Sequence, residues 1–228
     1  MAEPGVEGMR EICKHGDLVL VVGPEKLKLQ VLSGVLRNSS RVFDAMLGPN
    51  WKEGGAAKVG LPEDNGIAMR HICLALHCRL PIPLETLDSN TLLKIAALSD
   101  KYFLNEALFY AAKFWLEQST SDPHALMELT TAAYLFRNAN AFKTLTKELV
   151  LNYSYPYLGL LTTEISQWLD LTVLSHLEFA RAHLHLCISD VLLQEFQDAE
   201  DYDHSGETWM GTTTVNFRRK DTKEGAFV

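Results

Sequence analysis

Two pairs of histidine and cysteine are spaced so that each pair would share one face of a helix. Cys73 and His77 are four residues apart, and so are His183 and Cys187; side chains at that spacing are neighbours on a helix surface. Thiolate and imidazole are ligands of zinc, and two facing pairs would supply the four ligands of a structural site. Buried thiols and partly exposed imidazoles explain the same pairs without a metal. We therefore predict no metal site and no cofactor, with a small hydrolase or metal enzyme built on these pairs as the rival hypothesis.

Motifs that would carry a reaction are absent from the sequence. It contains no phosphate-binding Gly-x4-Gly-Lys-Ser/Thr loop, no Gly-x-Ser-x-Gly nucleophile turn and no His-Glu-x-x-His helix. The stretch from Asp201 to Gly206 matches the first half of an EF-hand calcium loop, but the twelfth position is Thr212 where a bidentate Glu is needed. No pair of carboxylates is placed by its spacing for acid–base work. The sequence therefore predicts a protein that is not an enzyme.

The composition and net charge of the chain indicate which kinds of partner it is suited to bind. The chain has 228 residues, 47% of them hydrophobic and 22% charged, which is typical of a protein that buries a core. A net charge of −8 does not favour binding to phosphate backbones or anionic lipid, so we predict neither a nucleic-acid nor a membrane partner. The N-terminus has no signal-peptide pattern, and four cysteines fit a reducing compartment. We expect a cytoplasmic or nuclear location.

In the N-terminal part of the chain, the spacing of apolar residues changes from that of strands to that of helices and back. The run at 17–22, closed by Gly23 and Pro24, predicts a buried strand and a turn, and alternation at 26–31 predicts its hairpin partner with one wet face. From Leu32 the period becomes helical with a break at Asn38-Ser39-Ser40, which predicts two short helices, 33–38 and 40–47. Ser39 or Ser40 would cap the second helix. A short edge strand is expected at 58–61.

Helices follow to the end of the chain. The pattern predicts them at 67–78, 90–102, 105–117, from Asp122-Pro123 onward, around Phe142 to Leu149, and from Leu171 to Phe196. The predicted class is α+β, a small sheet with helices followed by an all-α extension. The predicted organisation is a loose leader at 1–15, a mixed domain at 16–118, a helical extension at 119–198 and a flexible polar tail at 199–228.

Four stretches, in order, carry a resemblance to a known family: GDLVLVVGPEKLKLQVLSGVLRNSSRVFDAML, GPNWKEG, VGLPEDN and LLKIAALSDKY. From about Gly16 to Glu117 the chain resembles the BTB/POZ domain, and more narrowly the short BTB proteins of filamentous fungi. The Asp that starts the family's strand falls on Asp17. The family's helix-pair signature falls on Val35, Leu36, Ser40 and Phe43. The segment that follows the second helix in the family corresponds to Trp51, Glu53 and Gly54. The motif that ends a later helix corresponds to Ser99 to Tyr102.

The resemblance implies a BTB/POZ fold and a role in protein–protein association. The expected function is a scaffold that associates with itself or with another BTB protein, and the alternative is a substrate adaptor for a cullin-based ubiquitin ligase. Leu32 and Ser33 stand where many members carry a His and a basic residue before the first helix, and Leu76 to Leu80 replaces the animal-type Phe-Ile-Tyr-Thr-Gly segment near the cullin-facing surface.

Candidate partner-binding residues follow from this resemblance. They are Asp17, Leu32, Ser33, Val35, Arg37, Arg41, Trp51, His77, Arg79 and Tyr102. Val35, Val42 and Phe43 are expected mainly in the core, and Trp51 is open between a loop anchor and a partner contact.

Overall fold

The protein combines a small sheet with a larger set of helices, which agrees with the predicted α+β class. The computed structural model describes residues 10–48, 57–81 and 86–204. The strands are β1 (Arg10–Glu11), β2 (Leu18–Val22), β3 (Leu27–Val31) and β4 (Lys58–Leu61). The helices are α1 (Ser33–Ser39), α2 (Arg41–Met46), α3 (Gly66–Leu76), α4 (Ser89–Lys101), α5 (Phe109–Trp115), α6 (Pro123–Leu135), α7 (Ala139–Asn152), α8 (Thr163–Ser166) and α9 (Leu171–His204), with a 3-10 turn at Tyr157–Leu160 before α8.

The sheet has the strand order β1-β3-β2-β4. β2 and β3 form the predicted hairpin, antiparallel with Leu18 opposite Val31, and β4 runs parallel to β2 at the edge. Side chains alternate along a strand, so Leu20 and Leu29 point into one buried face while Lys28 is exposed. The hairpin and the third predicted strand are confirmed.

The prediction of a loose leader at 1–15 is wrong for residues 10–13, which are held against the sheet. Arg10 and Glu11 pair in parallel with β3, the backbone N–H groups of Ile12 and Cys13 both donate to the carbonyl oxygen of Gln30 at 3.1 Å, and Ile12 is buried. A two-residue strand is too short to show a period in sequence. The segment stays in place because the outer edge of β3 offers unpaired backbone acceptors.

A glycine is required where the leader meets the hairpin. A Cβ built on Gly16 would lie 2.6 Å from the carbonyl oxygen of Val31, closer than side chains approach a backbone. The amide of Gln30 also donates to the carbonyl of Gly16 at 3.0 Å. Only a residue without a side chain fits this approach between strands.

The second helix of the pair after the hairpin, α2, is capped by one of the two predicted serines. Ser40 has extended backbone angles between α1 and α2, and its hydroxyl accepts a hydrogen bond from the Phe43 N–H at 3.1 Å. Ser39 belongs to α1, where its hydroxyl donates to the carbonyl of Val35 at 2.8 Å. Of the two candidate caps, the structure therefore selects Ser40.

The later helices pack on the first ones. α6 lies against both α4 and α7, so its buried residues cover more than one face, from Leu126 and Met127 to Ala132 and Ala133. Its start is the predicted one, with Pro123 in the first turn and the Asp122 carboxylate accepting the Ala125 N–H at 3.1 Å. The contact between α4 and α6 spans the boundary predicted at 118/119.

Several predicted helix boundaries differ from the structure, most of them by one residue, and three differences are larger. The helix expected at 67–78 ends at Leu76, because Cys78 has a positive φ of 53°. The one expected at 105–117 is only Phe109–Trp115. α9 continues to His204, so the first six residues of the tail predicted at 199–228 (199 to 204) are helical, and the calcium-loop stretch starting at Asp201 begins inside this helix.

The chain divides into two units, Met1–Ala182 and His183–Val228. The boundary falls within α9, and each unit is described by itself below. Among the helices of the described residues, none combines the length and the apolar character needed to cross a membrane.

A buried tyrosine joins three parts of the first unit. The Tyr102 ring stacks on Phe43 with centroids 4.6 Å apart and planes inclined by 8°. Its hydroxyl donates to one carboxylate oxygen of Asp64, and the Lys101 ammonium donates to the other at 2.6 Å. Its backbone carbonyl accepts the Ser40 hydroxyl at 2.5 Å. Burial first, and then the Asp64 carboxylate, raise the pKa of the Tyr102 hydroxyl far above its usual range.

We predict that Tyr102→Phe lowers the free energy of unfolding by about 1–3 kcal/mol, because the ring stack survives but the buried Asp64 carboxylate loses a donor. Urea unfolding monitored by circular dichroism measures it. Tyr110→Phe is the matched control: Tyr110 is 84% exposed, and its loss of a hydroxyl should leave stability unchanged. Equal stability of Tyr102→Phe and the parent protein would contradict the role given to this hydrogen bond.

Candidate interaction surface

Four of the candidate residues meet at the start of α1. The first N–H groups of a helix have no partner within it, and Leu32, the residue before α1, provides no side-chain cap. The Leu32 N–H donates instead to Nε2 of His77 at 3.0 Å. The Ser33 N–H and hydroxyl donate to the two Asp17 carboxylate oxygens at 2.7 and 2.6 Å. Asp17, just before β2, and His77, just after α3, thus fix where α1 begins.

His77 is held in one tautomer by these contacts. Its Nδ1 lies 2.8 Å from the carbonyl oxygen of Cys73, and its Nε2 accepts from Leu32, so Nδ1 carries the proton. Burial lowers the pKa of His77, the positive charge of Arg79 lowers it further, and the bond to Cys73 opposes them. The imidazole is therefore a neutral structural acceptor.

The Cys73 thiol is fully buried, and burial raises its pKa to about 12. The thiolate needed by a metal is disfavoured at that position. In the second unit, Cys187 Sγ lies 3.7 Å from Nδ1 of His183 on the exposed surface. Within the described residues, no three His, Cys, Asp or Glu side chains are grouped closely enough to hold a metal ion.

Asp17 combines a structural role with exposure to solvent. The hydrogen bonds from the Ser33 side chain and backbone lower the pKa of the Asp17 carboxyl. Its charge also lies at the N-terminus of α1, where the helix dipole favours an anion.

Two arginines are held in place beside this point. The Arg37 guanidinium pairs with the Asp44 carboxylate at 2.8 Å, linking α1 to α2 across the exposed side. The Arg41 guanidinium lies 3.5 Å from the centroid of the Phe103 ring, a cation–π contact. Both arginines are exposed, and Phe103 is only partly covered.

We use the name α1 surface for Asp17, Leu32, Ser33, Val35, Arg37 and Arg41. Ser33 and Arg37 are four residues apart on α1, and Leu32 and Val35 three apart, so each pair shares a helix face. Leu32 and Val35 are half-buried, while the charged members are exposed. The α1 surface thus combines half-buried apolar side chains with exposed charged ones, and Asp17, Ser33 and Arg37 already have hydrogen-bond partners within the protein.

The other candidate residues are not part of the α1 surface. Tyr102 was predicted to contact a partner, and this is wrong: it is 3% exposed and makes the internal contacts described above. Arg79 is exposed and lies just after α3, near His77. Phe43 is fully buried and Val42 is half-buried against the core, as expected. Trp51 lies outside the described residues.

Sequence reasoning missed an aromatic surface on α5. Phe109, Tyr110 and Phe114 are all exposed, and the Phe109 and Tyr110 rings meet edge to face at 5.3 Å. The sequence predicts a longer helix at 105–117, but α5 has two turns and buries Ala112 and Trp115, which leaves Phe114 exposed. The signal was present, because seven residues with four aromatics cannot bury them all on one face.

No protein-family model matches the chain, and a search of curated proteins found no match.

We predict that lowering the pH below about 6.5, the ordinary pKa of histidine, destabilises the protein through His77. Its pKa is lowered in the folded state, so the unfolded state binds the proton more readily. The stability it contributes is complete above 6.5 and is lost as the pH falls from there through the folded-state pKa. Protonated Nε2 can no longer accept the Leu32 N–H.

The measurement is the midpoint of thermal unfolding between pH 8 and pH 5. His77→Gln keeps an acceptor but does not titrate, so it should lose less stability than the parent protein over this range. His124→Gln, at an exposed position, should follow the parent curve. Parallel curves for His77→Gln and the parent protein would contradict the assignment.

Proposed function

We propose that the protein is a non-enzymatic interaction module of the BTB/POZ type that associates with itself or with another BTB protein. The observation that carries the proposal is the convergence of Asp17 and His77 on the first N–H groups of α1. Two separate elements hold this helix, which keeps its outer side presented to solvent. The order of hairpin, helix pair, edge strand and helices supports the same class. As a scaffold, it would act in the cytoplasm or nucleus.

Association fits the chemistry of the α1 surface better than catalysis does. Ser33 and Asp17 already hydrogen-bond to each other, and the pKa of Asp17 lies below its ordinary value, which suits a fixed charge and not a proton donor. Arginine is enriched at the energetic centres of protein interfaces. Arg37 and Arg41 are held by Asp44 and Phe103, so less side-chain entropy is lost on binding.

A two-fold pair of chains is the simplest assembly through this surface. In such a dimer the same patch on each copy faces the other, so the apolar residues Leu32 and Val35 would meet their counterparts. Arg37 of one copy would lie at the rim, where charge sets orientation and partner choice.

We predict that Val35→Glu weakens self-association at least tenfold, or about 1.4 kcal/mol, because it places a charge in the apolar part of the α1 surface. Sedimentation equilibrium of the full chain measures the dissociation constant. Leu151→Glu on α7 makes the same kind of change at an exposed apolar position, and it should leave association unaltered. An unchanged dissociation constant for Val35→Glu, with the fold intact by circular dichroism, would overturn the proposed surface.

The α5 aromatics favour a second candidate function, an adaptor that holds a cullin. The resemblance to BTB/POZ domains implies that an adaptor would hold a cullin through residues 66–83 and 90–117. Phe109, Tyr110 and Phe114 fall within the second of these segments, and Ile67, also exposed, falls within the first. Exposed aromatic clusters of this kind are frequent binding hot spots.

If this second function holds, a cullin should co-purify with the tagged protein from its own organism, and Tyr110→Ala should reduce its recovery at least tenfold. Quantitative mass spectrometry of the purified complexes provides the readout. Tyr155→Ala is the control, since Tyr155 is also exposed but follows α7. Recovery of the protein without a cullin would retire the adaptor function and leave the scaffold.

A further inference from the structure

The second half of α9 exposes an unusual amount of apolar surface. Six large side chains there are between 49% and 69% exposed: Leu186, Ile188, Val191, Leu192, Leu193 and Phe196. They fall within 183–197, a stretch of the second unit that is helical throughout. A helix exposing this much apolar surface needs a covering partner to be stable in water.

Five residues of this stretch form one regular stripe of polar or weakly polar side chains. His183, Cys187, Asp190, Gln194 and Gln197 follow each other at intervals of four, three, four and three residues, which is the spacing of a single helix face. Water can solvate that face. Most of the other side chains around the helix are apolar, and His185, Ser189 and Glu195 are the exceptions.

Two apolar seams run beside the stripe, and they differ in length. Leu186, Ser189, Leu193 and Phe196 are spaced three, four and three apart without a charge. The other seam, Leu184, Ile188 and Val191, reaches the charged Glu195 at its next position. The first seam is therefore the better coiled-coil core, since a charge at a core position costs stability.

We propose that residues 183–197 pair in parallel with the same segment of a second copy, through the seam of Leu186, Ser189, Leu193 and Phe196. With these residues in the core, His185 and Asp190 occupy the two flanking positions that face each other across parallel helices, five residues apart. His185 of each copy then lies beside Asp190 of the other and can donate a hydrogen bond to its carboxylate.

Charge complementarity decides the direction of the pair. In an antiparallel arrangement centred on the segment, Asp190 of one helix lies beside Asp190 of the other, and like charges at that position repel. Leu192 flanks the parallel seam next to Gln197 of the other copy and adds apolar contact. Leu184, Ile188 and Val191 lie outside the seam, and the pairing does not cover them.

The pairing deepens the proposed self-association and rests on it for part of its affinity. The segment is about 22 Å long at 1.5 Å per residue, which is short for an isolated coiled coil. Chains already joined at the α1 surface would hold the two segments at a high effective concentration.

A cysteine placed in the seam tests whether the seams of two copies meet, because it can form a disulfide cross-link between them. Ser189→Cys in the full chain should form a disulfide-linked dimer under mild oxidation, because equivalent core positions of parallel helices are adjacent. Gln194→Cys, on the polar stripe, is the matched control and should give at least tenfold less cross-linked dimer on a non-reducing gel. The parent protein, with Cys187 on the same stripe, sets the background.

Second substitutions separate this inference from the α1 surface. Leu193→Glu added to Ser189→Cys should abolish the cross-link, while Gln194→Glu should not. Equal cross-linking of Ser189→Cys and Gln194→Cys would overturn the parallel pair, even if Val35→Glu dissociates the chains as proposed. Cross-linking that needs Leu193 but persists in chains carrying Val35→Glu would support the pair and count against the α1 surface.

Discussion

The buried carboxylate of Asp64 is the constraint on which the first unit depends. An ionised group removed from water is costly unless donors satisfy it, and here the Tyr102 hydroxyl and the Lys101 ammonium do so. Because Tyr102 also stacks on Phe43 and accepts the Ser40 hydroxyl, one residue after α4 fixes the start of α2 and the loop before α3. Several elements are thus positioned by one small polar network inside a largely apolar core.

The α1 surface follows from that core. With α2 fixed by Ser40, the preceding helix has little freedom, and its own first turn is held from both sides by Asp17 and His77. The surface is therefore organised before any partner arrives, which reduces the ordering cost of association. The same logic explains why histidine serves here as an acceptor: the ring fills a half-buried site where a charged group would be disfavoured.

Local patterns were sufficient to predict most of the secondary structure. A continuous apolar run predicted β2 and alternation predicted β3, while helix-start chemistry predicted the Asp122 cap and left Ser39 and Ser40 as the two candidates for the cap of α2. Properties that depend on distant partners could not be derived this way. Tyr102 is equally suited to a core or an interface until Asp64 is known to face it, and β1 exists only because β3 offers an edge. The convergence at Leu32 joins residues 45 apart in sequence, which no local period records.

Self-association through the α1 surface would cover the outer side of α1. Hydrogen–deuterium exchange of the full chain, compared between dilute and concentrated solution, tests it most directly, because α1 is the element whose outer side becomes covered. We expect the amides of Ser33 to Arg41 to exchange more slowly as concentration rises, while those of α7 do not change. Exchange at α1 that is independent of concentration, in a sample shown to be associated, would contradict it.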